Sequence, residues 1–148
     1  MYQHILIPTD GSALAEKAVA AGTNYARDAN AKVLFFTAVP EYQPPTEAEM
    51  MAHKRVKSIF DYEKDAAESA HAILDKAAAA AKDANISFEV DFALSDHPYQ
   101  AIIDAAKRHG CDAIFMASHG RTGIPAWWYG SQTRDVLTHS DIPTLVYR

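Results

Sequence analysis

The chain has 148 residues, 49% apolar and 22% charged, the balance of one globular domain spanning 1–148 and not of a disordered segment. Its net charge of −5 comes without a block of lysine or arginine, which argues against nucleic acid as the main partner because phosphate neutralisation needs clustered cations. The single cysteine, Cys111, allows no internal disulfide and no thiolate-rich metal site, and no apolar run is long enough to cross a bilayer.

The opening residues MYQHILIPTDGS carry no basic, long-apolar leader pattern, so the expected location is cytoplasmic, with no membrane partner. Tyr2 to Pro8 reads as a short buried strand, stopped by Pro8 and the turn residues Asp10-Gly11-Ser12. From Ser12, a suitable N-cap, the apolar positions Leu14, Ala15, Ala18, Val19, Tyr25 and Ala26 fall on one helical face. Gly22 shares that face, where it lowers helix propensity but permits close packing on a sheet. Ala31 to Val39 holds a second continuous apolar run, Val33-Leu34-Phe35-Phe36, at its centre, hence a second buried strand.

PEYQPP, Pro40 to Pro45, is the segment with the least expected order. Thr46-x-x-Glu49 then matches a capping box ahead of a helical tract reaching Ala84, long enough that a bend or break is expected between Lys54 and Tyr62. Phe88 to Leu94 alternates as a third strand. Pro98 marks the start of a helix whose face includes Ile102, Ile103 and Ala106 and which stops at Gly110. Ala113 to Met116 is a fourth strand, Gly130 to Ser140 a last short helix, and Thr144 to Tyr147 a fifth strand behind Pro143.

Strands that alternate with helices and read as continuous apolar runs imply a parallel sheet covered on both faces. The expected fold is therefore a single doubly wound α/β domain with a five-stranded parallel sheet in the order 3-2-1-4-5. Ligands of such sheets bind beyond the carboxyl ends of the strands, which here carry Pro8-Thr9-Asp10, Val39 and the residues from Met116 onward.

Neither GxxxxGK[ST] nor GxGxxG occurs. Gly130-Ser131 opens a helix, however, and unpaired amides at a helix N-terminus hold anions. Gly120 lies in a turn where a Cβ could block close approach. The residues alone leave two readings open, a phosphate site or an ordinary strand–loop–helix join. Asp10 is likewise either a hydrogen-bond acceptor for a ligand or the residue of an Asx turn at the first helix.

The seven histidines include no His-x-x-x-His pair on a helix and none beside a cysteine pair. His53, His71 and His109 are expected on solvated helix faces. Ser95-Asp96-His97 resembles a triad only in letters, because immediate sequence neighbours are poorly placed to converge. Cys111 reads as a small packed residue and not a nucleophile.

Over its whole length the chain resembles the universal stress protein family. The resemblance is carried by ILIPTDGS, by MASHG at the end of the fourth strand, by Gly130-Ser131 and by HSDIPTLVYR. Members that bind ATP share a glycine, two residues, a second glycine, nine residues, then glycine with serine or threonine. Here Ala117 stands at the first glycine, followed by Ser118-His119-Gly120 and, after nine residues, Gly130-Ser131. The added methyl is tolerated if Ala117 keeps a negative φ, as expected at the end of a strand. The second departure is Trp127-Trp128, for which two readings stay open: packing under the loop, the commoner fate of such residues, or an exposed patch for another subunit.

The resemblance implies that Pro8, Thr9, Asp10, Val39, Met116 and Ala117 surround adenine and ribose. It implies that His119, Gly120, Gly130, Ser131, Gln132 and Thr133 meet the phosphates, with ATP as ligand and Mg2+ shared by the phosphate oxygens but no metal held by the protein alone. It also implies a homodimer through Thr144–Tyr147 and a regulatory stress-response role toward an unidentified protein partner, not efficient catalysis. Two rivals stay open: very slow ATP hydrolysis, and a dimeric interaction protein that binds no nucleotide.

Overall fold

The computed structural model describes residues 1–52, 56–118 and 131–148. The chain order is β1 (His4–Pro8), α1 (Ala13–Ala29), β2 (Lys32–Val39), α2 (Glu47–Met51), α3 (Ile59–Asp83), β3 (Phe88–Leu94), α4 (Pro98–Arg108), β4 (Ala113–Ala117), α5 (Ser131–His139) and β5 (Thr144–Tyr147). All five strands are parallel in one sheet ordered β3-β2-β1-β4-β5, as the alternation of elements predicts.

The continuous apolar runs have the expected cause. In β1, β2 and β4 successive side chains enter opposite cores. Leu6, Leu34, Phe36, Ile114 and Met116 pack with Ile102, Ala105 and Ala106 of α4 and Val136 of α5. Ile5, Ile7, Val33, Phe35 and Phe115 pack with Val19 and Ala26 of α1 and Leu74, Ala77 and Ala81 of α3.

Helix ends follow local chemistry. The Ser12 hydroxyl accepts from the Ala15 amide and caps α1, and Asn30, at φ +54°, closes it. Thr46 and Glu49 form the reciprocal capping box of α2, which ends at Met51. The long tract breaks as expected: residues 56–58 are non-helical, and Ser58 caps a new helix at Ile59. Gly110, at φ +67°, lies just past α4 and its C-cap His109.

PEYQPP is a loop, but it is tied down at several points. The Asp96 carboxylate accepts from the Glu41 amide (3.0 Å) and from Gln43 Nε2 (3.2 Å). Tyr62 donates its hydroxyl to the Pro40 carbonyl (2.6 Å), and Tyr42 donates to that of Lys57 (3.0 Å).

Candidate functional site

The winding reverses between β1 and β4, the neighbours at the centre of the sheet. Their register pairs Ile5 with Ala113 and Leu6 with Ile114; continued, it sets Pro8 beside Met116 and Thr9 beside Ala117. A doubly wound sheet offers its ligand crevice beyond these strand ends. Four of the residues expected around adenine and ribose therefore meet at the switch point. Val39 ends β2 three residues past Phe36, the partner of Pro8, so it lies about 10 Å further along the strand direction. Its carbonyl accepts from the Ser95 amide at 2.8 Å, joining the ends of β2 and β3.

Beyond Pro8 the chain turns tightly. Thr9 is buried; its amide donates to the Phe36 carbonyl (2.8 Å), and its Oγ1 accepts from the Gly11 amide (3.2 Å). Asp10 Oδ1 accepts from the Ser12 amide (2.9 Å), the Asx-turn arrangement left open by the sequence. Gly11 adopts φ +78°, which an L side chain resists, and a Cβ there would stand 3.2 Å from Ile73 Cγ1.

On the β4 side, Met116 and Ala117 are fully buried among core residues, so what they offer at the sheet edge is backbone. Ala117 lies within extended β4, and the non-glycine residues with positive φ among the described residues are Asn30 and Asn85. Its methyl group thus costs no backbone strain. Thr133, 3% exposed, donates its hydroxyl to the Ala117 carbonyl at 2.8 Å, seating the first turn of α5 against the end of β4. Gln132 turns its side-chain carbonyl to the Tyr99 amide of α4, also at 2.8 Å. Ser131, the first residue of α5, is exposed. The expected phosphate contacts His119, Gly120 and Gly130 lie outside the described residues, as do Arg121 and Trp127-Trp128.

The remaining candidates serve structure. The Ser95 hydroxyl accepts from the His97 amide while Asp96 holds the 41–43 loop, so these three form no triad. His71 is exposed and meets the Phe92 ring edge-on, 5.6 Å between centroids; His53 lies outside the described residues. His109 departs from the solvated face expected of it. Half-buried at the end of α4, its ring stands between two carboxylates of β3, Nδ1 at 3.1 Å from Glu89 and Nε2 at 2.8 Å from Asp91. Arg108 adds a 2.6 Å bond to the same Asp91 oxygen. Burial opposes charge on Asp91, but the bonds from His109 and Arg108 outweigh it and hold the carboxyl below its ordinary pKa.

Cys111 is buried, and burial together with the Glu89 and Asp112 charges pushes its thiol up to about 12, the opposite of a nucleophile's setting. Among the described residues no group of three histidine, cysteine or acidic side chains is arranged to hold a metal ion. Likewise no described helix is long and apolar enough to cross a membrane. The anchoring roles of Asp96, Tyr62 and Gln132 were not read from the sequence, because each bond joins residues 22 to 55 positions apart and leaves no local pattern.

Comparison with known proteins agrees with this fold. The model of the universal stress protein family matches residues 1–148. Universal stress protein MJ0577 of Methanocaldococcus jannaschii is 34% identical over 65 residues, which span 43% of this chain and 40% of that protein. The solved structure of hypothetical protein MJ0577 superposes with a TM-score of 0.73 at 25% identity, covering 99% of this chain and 95% of that one. A universal stress protein solved in complex with cAMP gives a TM-score of 0.70 at 23% identity, covering 99% and 97%. One from Archaeoglobus fulgidus in complex with dAMP gives 0.65 at 17% identity, covering 99% and 98%.

Proposed function

Since the chain belongs to the universal stress protein family, we propose that it is an adenine-nucleotide-binding module whose ligand is ATP, with Mg2+ shared by the phosphate oxygens. Adenine and ribose lie against the ends of β1, β2 and β4, at Pro8, Thr9, Asp10, Val39, Met116 and Ala117. The phosphates lie toward His119, Gly120, Gly130 and the first turn of α5. Ser131 offers its hydroxyl there, while Gln132 and Thr133 offer amides, their side chains being engaged elsewhere. The module acts in the cytoplasm as a homodimeric regulatory protein toward a protein partner.

The observation that carries this reading is the bond from Thr133 to the Ala117 carbonyl. It sets the first-turn amides of a helix, which have no acceptor within that helix, beside the central strand ends, where backbone donors and the helix dipole favour an anion. The neighbours solved with cAMP and dAMP, which share this fold, support adenine as the base. Thermal unfolding with and without millimolar magnesium-ATP tests it. Ligand at about 100 times its dissociation constant stabilises by roughly 2.7 kcal/mol, a rise of several degrees in Tm for a domain of this size. The rise is expected to vanish in a folded Gly130→Val variant. An unchanged Tm in the wild type overturns the reading.

A further inference from the structure

The donors of the first turn of α4 reach their acceptors in an unusual way. Pro98 at the first position has no N–H, and the Gln100 and Ala101 amides both donate to the His97 carbonyl, each at 3.1 Å. His97 supplies no side-chain cap, so the Tyr99 amide is the donor α4 cannot satisfy itself. The acceptor that reaches it is Gln132 Oε1, from the first turn of α5, 33 residues away in sequence. At the next position Thr133 is bonded to the end of β4. At the far end of α5 the His139 ring packs on the Tyr99 ring, 5.2 Å between centroids. The helix is thus fastened to β4 through Thr133, and to one residue of α4 through both Gln132 and His139.

We infer that the Gln132 side chain is a positioning group for the phosphate end of the site: by capping α4 at Tyr99 it sets where the first-turn amides of α5, its own included, point, without the side chain itself touching the nucleotide. This rests on the proposed nucleotide site. Binding an anion through backbone amides depends on donors already aimed at it, since any ordering left until binding subtracts from affinity. A loosened Gln132 leaves the amides in place chemically but spreads their directions. The effect falls on ligands that carry phosphate and spares the base and ribose, which lie against the strand ends.

The test is isothermal titration of ATP, with Mg2+, and of adenosine into the wild type, Gln132→Met and Gln132→Asn, alongside amide exchange of Tyr99 in the free proteins. Methionine keeps the length and removes the acceptor; asparagine keeps the polarity and falls one methylene short, providing a folded variant if the first is unstable. In both, Tyr99 is expected to exchange faster and ATP to bind roughly three- to tenfold more weakly, the range of one lost hydrogen bond, with adenosine changed less than twofold. Faster Tyr99 exchange with unchanged ATP affinity would reduce Gln132 to a local helix cap. Weaker ATP binding with Tyr99 still protected would make it a direct ligand. Equal weakening of ATP and adenosine would mean general loosening. A wild type that binds neither ligand removes the nucleotide site itself, and that result is distinct because it precedes any variant.

Discussion

A methyl group at Gly22 would come within 2.7 Å of Ile7 Cδ1 and 2.9 Å of Phe115 Cδ1, atoms of two buried side chains under α1. Overpacking of this kind costs about 1–3 kcal/mol, and alanine regains about 1 kcal/mol of helix propensity over glycine. Gly22→Ala is therefore expected to lose about 1 kcal/mol in urea unfolding, and Gly22→Val clearly more. The pair Glu89 and Asp91 gives a second prediction at this scale. The His109 bond chiefly lowers the pKa of Glu89; for Asp91 the bonds from His109 and Arg108 overcome the larger opposing effect of burial. Both pKa values are depressed by folding, so their stabilisation is present above the ordinary carboxylate range, about 3.9 to 4.3, and is lost as pH falls below it. Lys32, 3.6 Å from Glu89, and buried His4 face the same cluster. The expected result is a Tm that drops from about pH 5 to pH 3, with a shallower drop in His109→Gln. Single residues were legible in the sequence where their partner is near in the chain, as for the Ser12 cap, three positions from Ala15, or where spacing alone places them, as for Gly22 on the apolar face of α1. The directions of Gln132 and Thr133 were not legible, because their partners lie 33 and 16 residues away on other elements.

Whole elements were the most readable level, because a strand buried on both faces must be apolar without interruption and a helix beside it must not be. That constraint alone recovers β1, β2 and β4 nearly to their ends. The break before α3 was legible from the length of the tract, and its position only loosely, since Ser58 looks like many other serines until its hydroxyl is seen to accept from Asp61. The Pro40–Pro45 loop shows what element patterning misses. Its composition suggests little order, yet Asp96, in the β3–α4 turn, receives both the Glu41 amide and the Gln43 side chain. Because Val39, at the start of this loop, also accepts from Ser95, the turn after β3 holds the wall of the crevice next to β2. In Asp96→Ala the Glu41 amide is expected to exchange roughly tenfold faster, the equivalent of one charge-assisted hydrogen bond, while the exposed site leaves Tm almost unchanged. An unaltered Glu41 exchange rate would show that Tyr62 and Tyr42 hold the loop without Asp96.

At the scale of the whole molecule the sheet has two edges, and they are unlike. The outer strand β3 carries Glu89 and Asp91, charges that discourage a further strand from pairing. The other outer strand, β5, reads TLVY without a charge, and Val146 is partly exposed on it. The carbonyls of Pro143 and Tyr147 accept from Ile114 and Ser118 beside β4. Since backbone groups alternate sides along a strand, Thr144 and Val146 turn theirs away from β4, toward the open edge. This gives the homodimer of the proposed function a definite test. Proline is tolerated at an edge strand where its missing N–H faces outward, so Val146→Pro leaves the β4–β5 ladder intact and deletes a donor needed only by a second copy. Light scattering is expected to give twice the chain mass for the wild type and a folded species of one chain mass for Val146→Pro. Val90→Pro, on the charged edge strand, is expected to remain dimeric where it folds. A dimer that survives Val146→Pro would move the interface off β5, and the apolar, uncharged edge would then need another cover.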